Sequence, residues 1–420
     1  MEFIKQKIIV ISDLEHSKPR IPNLLFHLNN DVYDKYIIGA NNSSKKFNND
    51  LPKDFLKNVT LLNFKRRINL FKSIKGRIQK ANINKTLKIN YLFNTIKKAF
   101  MKIILEVLFP DQYFFTVNQY IKLFRDNFNP EENQVVVISS SPYPTVHLVG
   151  NKLKKIYKNR IIWIADYRDL WSLNHFYNKT SLRKIIESNY EKKNLKSADL
   201  VTTVSEELAK KQSDFLNKKV EVIYNGYSDN TDESTIDETI YLESNKLNII
   251  YTGSLYFDFM DVEDFLKSIT NLNENIVFHF YGKFSNALQS LIEINNLGNI
   301  VKQRGLMSNT DILKLQKSYD YLLFFDVNYN VKGLYSLKFY EYIKSQRPII
   351  CVGKNQLSSI KKLILDSGRG FVFDYANDLV KFLNNNLESP DDLDETGVLK
   401  FSYKNQSKKL DLEIQRLLDK

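Results

Sequence analysis

Three charged side chains follow directly after one predicted strand. Asp166, Arg168 and Asp169 come after the apolar run 161–165, at the strand end where parallel sheets carry functional loops. A guanidinium between two carboxylates forms a rigid hydrogen-bonding cluster that suits the binding of sugar hydroxyl groups. The same residue types also form structural ion-pair turns that only fix a loop. The sequence leaves both interpretations open.

A second candidate group lies where a loop is predicted to run into a helix beginning near Tyr335 and Ser336. Backbone N–H groups at a helix start bind phosphate groups, and Lys338 in the first turn would add positive charge for a diphosphate. Glu341, one turn later, can accept hydrogen bonds from the two vicinal hydroxyls of a ribose. The alternative is a surface pair of Lys and Glu on an ordinary helix.

Gly253 and Ser254 form a small-residue turn at the end of another predicted strand. A glycine there allows a phosphate to approach the backbone closely. Lys283 and Arg304 are the nearest candidates to supply a balancing positive charge, and the sequence does not decide between them. The loop after the first strand adds Asp13 and His16, which could touch an acceptor, although a lone loop histidine is more often solvated.

The elements that must position these residues follow an α/β pattern. Short apolar runs alternate with helical patterns along the chain, which is typical of parallel sheets covered by helices. A polar, acidic stretch at 226–246 separates two such series and is predicted to be a linker. We therefore expect two Rossmann-like, doubly wound parallel-sheet domains, at 1–225 and 247–390, facing across a cleft, followed by a helical tail at 391–420.

The positive charge of the chain is concentrated in one segment. The formal net charge is +13, and the range 57–102 holds 13 Lys or Arg residues with no Asp or Glu. Apolar residues at helical spacing predict a basic helical insertion over about 57–109. Such helices bind anionic membrane surfaces, and the absence of acids favours this interpretation. A solvated helix face and an RNA-binding arm are alternatives, but no nucleic-acid-binding module is recognisable, so no nucleic-acid partner is expected.

Other features limit the class of protein. No stretch has the ~18 uninterrupted apolar residues of a membrane span, and no signal peptide is evident at the N-terminus. The single cysteine, Cys351, excludes an internal disulfide and a multi-cysteine zinc site. No Asp-x-Asp metal motif stands out at a strand end, and the common nucleotide-loop and hydrolase motifs are absent. We expect a cytoplasmic protein without a metal or other cofactor.

Between about Val135 and Phe373 the chain resembles glycosyltransferase family 4, particularly the bacterial branch that makes surface polysaccharides. The matching segments are the Ser-Pro loop 139–144 with His147 after it, the D-x-R-D-x-W run 166–171, the T-x-V-S run 202–205, the Asn-Gly pair 225–226 and the helix with Lys338 and Glu341. Arg304–Met307 resembles the family segment that lies against the nucleobase. One departure is clear: the first Glu of the family's E-x7-E pair falls at Gly333.

The resemblance implies a glycosyltransferase-B fold with an N-terminal acceptor domain and a C-terminal domain that binds a nucleotide-sugar. His147 and the cluster at 166–169 would face the reacting sugar. The donor would be held by the following residues: Gly253, Ser254, Lys283, Arg304, Met307, Tyr335, Ser336, Lys338 and Glu341. Lys338 and the helix-start amides would stabilise the departing diphosphate in place of a metal. Retention of the anomeric configuration is also implied.

The expected function is therefore transfer of a sugar from a nucleotide diphosphate-sugar to a hydroxyl of a lipid-linked glycan, at the inner face of a membrane. Two alternatives stay open. A non-catalytic scaffold of the same fold is supported by Gly333, which stands where the family has a glutamate. A nucleotide-sugar epimerase would need a pair of carboxylates for proton chemistry, and the sequence shows no convincing pair.

Overall fold

The computed structural model contains two units, each built on one parallel sheet. The first unit comprises Met1–Ile223 together with Ser407–Lys420, and the second comprises Tyr224–Gln406. The structure describes residues 4–13, 17–41, 51–52, 54–65, 109–174, 180–228, 242–273, 275–327, 333, 335–356, 358–385 and 396–420.

The sheet of the first unit has seven strands in the order β3-β2-β1-β4-β5-β6-β7, all parallel. The strands are β1 (Gln6–Asp13), β2 (Tyr33–Asn41), β3 (Val59–Lys65), β4 (Val135–Ser140), β5 (Ile161–Tyr167), β6 (Leu200–Thr203) and β7 (Val220–Val222). Every residue of β4 and β5 is buried, because helices cover both faces of a parallel sheet.

Within the described residues of this unit, six helices accompany the strands. They are α1 (Arg20–Phe26), α2 (Phe55–Asn58), α3 (Val117–Asn127), α4 (Thr145–Tyr157), α5 (Ser181–Leu195) and α6 (Glu206–Leu216). Two of them begin at an oxygen that satisfies a free helix N–H: the Thr180 side chain accepts from Arg183 and the Ser205 side chain accepts from Leu208.

The sheet of the second unit has six parallel strands in the order β10-β9-β8-β11-β12-β13. The strands are β8 (Leu247–Thr252), β9 (Ile276–Tyr281), β10 (Val301–Gly305), β11 (Tyr321–Phe325), β12 (Ile349–Val352) and β13 (Gly370–Phe373). Alternate strand residues point to opposite faces, so two separate apolar clusters form, one containing Ile249 and one containing Ile250.

The helices of the second unit are α7 (Val262–Ser268), α8 (Asn286–Ile294), α9 (Asn309–Leu315), α10 (Leu337–Lys344), α11 (Ser359–Asp366), α12 (Ala376–Asn385) and α13 (Thr396–Leu399). Serine side chains cap α8, α9, α10 and α11 at their N-termini. The last helix, α14 (Tyr403–Leu418), begins in the second unit, but its residues from Ser407 onward belong to the first. There the Ser407 hydroxyl donates to the carbonyl of Leu24 at 2.9 Å.

The predicted pair of parallel-sheet α/β domains is confirmed. The predicted helical insertion at 57–109 is wrong at its start, because Val59–Lys65 pairs with β2 as strand β3. Residues 66–108 of that insertion, most of the linker 226–246 and the start of the tail lie outside the described residues. In the part of the chain that is described, no helix combines the length and the apolar character needed to cross a bilayer.

Candidate functional site

The carboxyl edge of the first sheet collects polar residues from three neighbouring strands. Ser140 at the end of β4 lies beside Asp166 of β5, and Asp166 lies beside Thr202 of β6. This register follows from parallel pairing, which brings equivalent strand ends to one edge. The three side chains therefore meet without any long loop to position them.

Asp166 is the centre of a buried hydrogen-bonding cluster. Its carboxylate accepts from Arg20 Nε at 3.2 Å and Nη2 at 2.8 Å, and from the hydroxyls of Ser140 at 2.7 Å and Thr202 at 2.8 Å. Burial alone raises the pKa of Asp166, but the Arg20 charge and these hydrogen bonds outweigh it and leave the pKa below its usual value. Asp166 is 4% exposed and Arg20 is 0% exposed. The pair therefore lies inside the unit, where it connects α1 to the end of β5, and does not face solvent.

The predicted cluster of Arg168 between two carboxylates is therefore wrong for Asp166, whose partner is Arg20. The Arg168 guanidinium donates to the carbonyl of Lys18 at 3.4 Å, and the backbone N–H of Arg168 donates to Ser141 Oγ at 3.3 Å. Asp169 remains beside Arg168. Desolvation raises the Asp169 pKa and the Arg168 charge opposes that rise, although Asp169 retains contact with solvent. An exposed carboxylate with such a shift lies in a concave part of the surface.

His147, in the first turn of α4, is completely buried. Its ring stacks on Tyr167 with 4.3 Å between centroids, and Nδ1 lies 2.9 Å from Ser139 Oγ, which accepts from Trp163 Nε1 at 2.8 Å. Burial lowers the His147 pKa to about 3, against the opposing charge of Asp166. The imidazole is thus neutral at physiological pH and suits hydrogen bonding rather than proton transfer.

A small cavity of about 20 Å³ adjoins His147. Its polar lining comes from Ser141, His147, Tyr167, Asp169, Trp171 and Asn174. Two buried ring nitrogens, His147 Nε2 and Trp171 Nε1, have no hydrogen-bond partner among the described residues. The cavity has room for one water molecule or one hydroxyl group, which could satisfy these atoms.

Glu191 of α5, which the sequence analysis did not single out, holds the loop that lines this cavity. Its carboxylate accepts from the Ser172 N–H at 2.9 Å and from the Ser172 hydroxyl. Burial raises the Glu191 pKa to about 7, while the hydrogen bonds from Ser172 act in the opposite direction. No sequence signal indicated this role, because a glutamate among the charged residues of a surface helix is expected to face solvent.

The carboxyl edge of the second sheet is built from glycines. Gly253 follows β8, Gly282 follows β9, and Gly305 ends β10. The N–H of Gly253 donates to the carbonyl of Tyr281 at 2.7 Å, and the N–H of Gly282 donates to that of Gly305 at 2.9 Å. A Cβ atom at Gly282 would lie 2.3 Å from the Gly253 oxygen, so only glycine permits this packing. Gly253 itself has a φ of +109° and is exposed.

Lys338 in the first turn of α10 covers this glycine edge. Its Nζ lies 3.7 Å from the centroid of the Tyr251 ring and 3.3 Å from where a Cβ at Gly253 would stand. Burial lowers the Lys338 pKa to about 7, against the opposing charge of Glu341. Burial likewise raises the Glu341 pKa, and Lys338 opposes it. Gly253, Lys338 and the start of α10 are therefore brought together as predicted from the sequence.

Tyr342 fixes α10 to the end of β8. The Thr252 N–H donates to the Tyr342 hydroxyl at 2.9 Å, and the Thr252 hydroxyl lies 3.3 Å from the same oxygen. The start of α10 is capped by Ser336 Oγ, which accepts from the Phe339 N–H at 3.4 Å. The role of Tyr342 in holding α10 was not predicted, because an aromatic residue inside a helix is normally interpreted as part of the apolar core.

The remaining predicted donor residues divide into exposed and anchored groups. Lys283 and Ser254 are exposed next to the glycine edge, and the Ser254 carbonyl accepts from the Tyr251 hydroxyl at 2.7 Å. Tyr335 stacks on Phe339 with 6.1 Å between centroids, and Met307 packs against the apolar cluster under α10. Contact of these residues with a donor stays a prediction.

Arg304 is anchored away from the glycine edge. Its Nε donates to His279 Nδ1 at 3.1 Å, and its Nη2 lies 3.9 Å from Glu243, which precedes β8. The structure therefore brings Lys283, rather than the Arg304 guanidinium, beside the strand ends.

Gly333 has a left-handed backbone with a φ of +82°, and its N–H donates to Ser359 Oγ at 3.0 Å. A glutamate would be strained in this conformation, which gives a local reason for the glycine.

Two further predictions concern the loop after β1 and the basic segment. Asp13 is buried at the end of β1, at 3% exposure, which leaves little of it for an acceptor. His16 and residues 66–102 of the basic segment lie outside the described residues. Within the described ranges, no group of three or more His, Cys, Asp or Glu side chains could hold a metal ion.

The sequence matches no protein-family model and no curated protein. Solved structures, in contrast, match over nearly the whole chain. HepE from Anabaena, in complex with UDP and glucose, is 13% identical, with 98% of this chain and 100% of that chain covered and a TM-score of 0.60. A glycosyltransferase from Rickettsia africae is 14% identical, with 99% of each chain covered and a TM-score of 0.62.

The apo lipopolysaccharide outer core galactosyltransferase WaaB is 14% identical, with 98% of this chain and 99% of that chain covered and a TM-score of 0.57. These structural neighbours are glycosyltransferases of the glycosyltransferase-B fold. At such low identities the likeness establishes the fold: the two parallel-sheet α/β domains match that architecture, as the sequence resemblance predicted.

Proposed function

We propose that this protein is a glycosyltransferase that moves a sugar from a nucleotide diphosphate-sugar to a hydroxyl of a glycan. The observation that carries the proposal is the glycine edge of the second unit, with Lys338 placed over Gly253 at the start of α10. Exposed backbone, a helix N-terminus and one cation suit a diphosphate. The structural neighbour HepE was solved with UDP and glucose, and this supports a uridine nucleotide as the first donor to test.

Lys338 and the first N–H groups of α10 would stabilise the negative charge that grows on the departing diphosphate. Glu341, one turn along the same helix, would accept hydrogen bonds from the ribose hydroxyls. Tyr342 would act indirectly, by holding α10 against Thr252. In the first unit, the neutral His147 would offer Nε2 to a sugar hydroxyl at the small cavity, with Asp169 and Arg168 beside it.

The proposal is tested by titrating purified protein with UDP, GDP and ADP in a calorimeter. We expect one nucleotide to bind and Lys338→Ala to weaken it about tenfold to a hundredfold, as expected for loss of one hydrogen bond to a charged group. Binding should also weaken as pH rises from 7 to 9, because unliganded Lys338 loses its proton near pH 7 and the bound diphosphate favours the charged form.

Lys362→Ala is the matched control, since Lys362 is exposed on the neighbouring helix α11 and should leave binding unchanged. Equal affinity of wild type and Lys338→Ala, with the same pH dependence in both, would remove the basis of the proposal.

Product analysis separates transfer from the two alternatives. A transferase consumes a nucleotide-sugar only when an acceptor glycan is present, apart from slow hydrolysis. An epimerase converts the free donor to its stereoisomer without an acceptor. A non-catalytic scaffold neither transfers the sugar nor converts the free donor. The presence of Gly333 where the family has a glutamate would be consistent with such a scaffold. Retention of anomeric configuration and independence from metal ions are proposed with the transfer and are checked by NMR of the product and by addition of EDTA.

We further propose that the acceptor is a lipid-linked glycan of a surface polysaccharide and that the protein works at the inner face of a membrane. The support is the basic range 57–102, which has 13 basic and no acidic residues. Flotation with anionic vesicles should succeed, and it should fail when the basic residues from Lys65 to Lys80 are neutralised.

A further inference from the structure

Helix α5 has its charged and apolar sides reversed relative to an ordinary surface helix. Its exposed positions include Leu182 at 69%, Ile185 at 59%, Ile186 at 49% and Tyr190 at 38% exposure. Its buried positions are mostly charged or polar: Arg183, Glu187, Glu191 and Asn194, with Leu195. The spacing i, i+3, i+4 and i+8 places the exposed apolar side chains on one face.

The charges on the inward side are all used within the first unit. Arg183 Nε donates to Glu187 at 2.8 Å, its guanidinium lies 4.6 Å from the Phe109 ring, and Nη2 donates to the Pro110 carbonyl at 3.4 Å. Glu191 accepts from Ser172. The inward side thus attaches α5 to the unit mainly through polar contacts, and Tyr190 at the edge of the outward side adds ring contacts with Phe109 and Trp171.

The outward side carries charge of one sign only. On this side the exposed charged residues are Lys192 and Lys193, and both glutamates of α5 are 1% exposed; Lys184 is also exposed but lies in the row of those glutamates. An apolar face bordered by lysines alone is complementary to an anionic bilayer, in which acyl chains receive the apolar residues and headgroups receive the lysines. A protein partner would more often be matched by charges of both signs.

The basic segment returns to the described part of the chain at the same place. Phe109, just beyond that segment, packs edge-to-face on Tyr190 with 4.7 Å between centroids. Tyr190 is one of the exposed aromatic residues of α5. Phe109 therefore lies against the edge of the outward face of α5.

We propose that the outward face of α5, formed by Leu182, Ile185, Ile186 and Tyr190 with Lys192 and Lys193, is a membrane-contact surface that lies in the interface of an anionic bilayer. This assigns membrane contact to α5, whose apolar side chains would insert into the bilayer. The inference rests on the proposed membrane location. It does not depend on sugar transfer, because its test needs neither donor nor acceptor.

The test is flotation of the full chain with vesicles of phosphatidylglycerol and phosphatidylcholine. The double variant Ile185→Asp/Ile186→Asp should lower the bound fraction at least tenfold. The matched control is Ile294→Asp/Leu412→Asp, which places the same charges at exposed apolar residues on α8 and α14 and should float like wild type. Melting temperatures within a few degrees of wild type would show that both double variants fold.

An Ile185→Cys variant labelled with an environment-sensitive dye gives a second readout, since the native Cys351 is buried. The dye emission should shift to the blue when anionic vesicles are added. Unchanged flotation of Ile185→Asp/Ile186→Asp, no spectral shift, or equal binding to pure phosphatidylcholine would each overturn the proposal. So would a dimer in light scattering that the same double variant converts to a monomer, because the face would then serve a second copy.

Discussion

The two sheets carry their polar features at the same topological edge but build it in opposite ways. In the first unit the ends of β4, β5 and β6 are joined by side chains, with Arg20 and Asp166 buried at the centre. In the second unit the ends of β8, β9 and β10 are glycines, and the backbone itself forms the surface beneath Lys338. Parallel topology thus determines where functional groups gather. We call the edge around Arg20 and Asp166 the closed edge, because side chains fill it, and the edge at Gly253, Gly282 and Gly305 the open edge, because it lacks side chains.

The difference separates stability from ligand binding. In the closed edge Arg20 compensates the buried charge of Asp166, so removal of either partner should destabilise the fold. An open edge leaves space for a ligand beside Lys338 and the first turn of α10. Substitutions at the first edge should therefore change the free energy of unfolding, whereas those at the second should change nucleotide affinity more.

The largest effect is expected for Arg20→Met, which removes the buried partner of Asp166. The carboxylate would remain buried without its charge partner, and such losses cost about 3 to 5 kcal/mol. Urea denaturation followed by circular dichroism measures this directly. The loss should be greatest above the usual pKa of an aspartate and should diminish in acid, where Asp166 is protonated in both states.

The double variant Arg20→Met/Asp166→Asn tests whether charge is the cause. It removes both charges and should recover part of the lost stability. Arg125→Met, at an exposed arginine of α3, is the control and should stay near wild type. A loss below about 1 kcal/mol for Arg20→Met would mean that the first edge is not held by this pair.

A smaller effect, visible as a change with pH, is expected for Glu191→Gln behind the first edge. Burial raises the Glu191 pKa to about 7 in the folded protein, whereas the unfolded chain has the ordinary pKa of 4.5. The wild-type free energy of unfolding should therefore fall by roughly 3 kcal/mol between pH 4.5 and 7 from this group alone. Glu191→Gln keeps an acceptor for Ser172 and should lack that fall.

Denaturation curves of both proteins at pH 5, 6 and 7 provide the measurement. Glu207→Gln, at an acid in the first turn of α6, serves as a comparison for general charge effects. Parallel pH profiles for wild type and Glu191→Gln would show that Glu191 is ionised throughout this range.

Sequence patterns predicted the open edge better than the closed one. Gly253, Lys338 and Glu341 could be predicted because a glycine turn and a helix start are each recognisable from a few neighbouring residues in the sequence. Asp166 was also found, but its partner Arg20 lies 146 positions away in the sequence. Nothing local in the sequence marks such a pairing.

The reversed helix α5 shows a second limit. Which side of this helix faces inward follows from distant groups such as Ser172 and Pro110. Apolar periodicity assigns the buried face by default, so Glu187 and Glu191 would be placed outside. Arg304 shows a third limit: it was one of two candidate cations for the glycine edge, but its side chain contacts His279 and Glu243 instead.

The smallest expected effect comes from Gly253→Ala, which adds a methyl group to the open edge beside Lys338. A φ of +109° strains alanine, and destabilisation of about 1 to 3 kcal/mol is expected. The new Cβ would lie 3.1 Å from Lys338 Cε, a flexible group that can move aside. Displacement of Lys338 should weaken nucleotide binding several-fold, as measured by calorimetry.

Gly298→Ala is the matched control, because a Cβ at Gly298 meets nothing within 4 Å. A double-mutant cycle then separates strain from displacement. If Gly253→Ala acts on affinity by moving Lys338, it should have little further effect in a Lys338→Ala background, while its cost in stability should persist. Equal losses of affinity in both backgrounds would instead show that Gly253→Ala acts through the backbone conformation at this turn and not through Lys338.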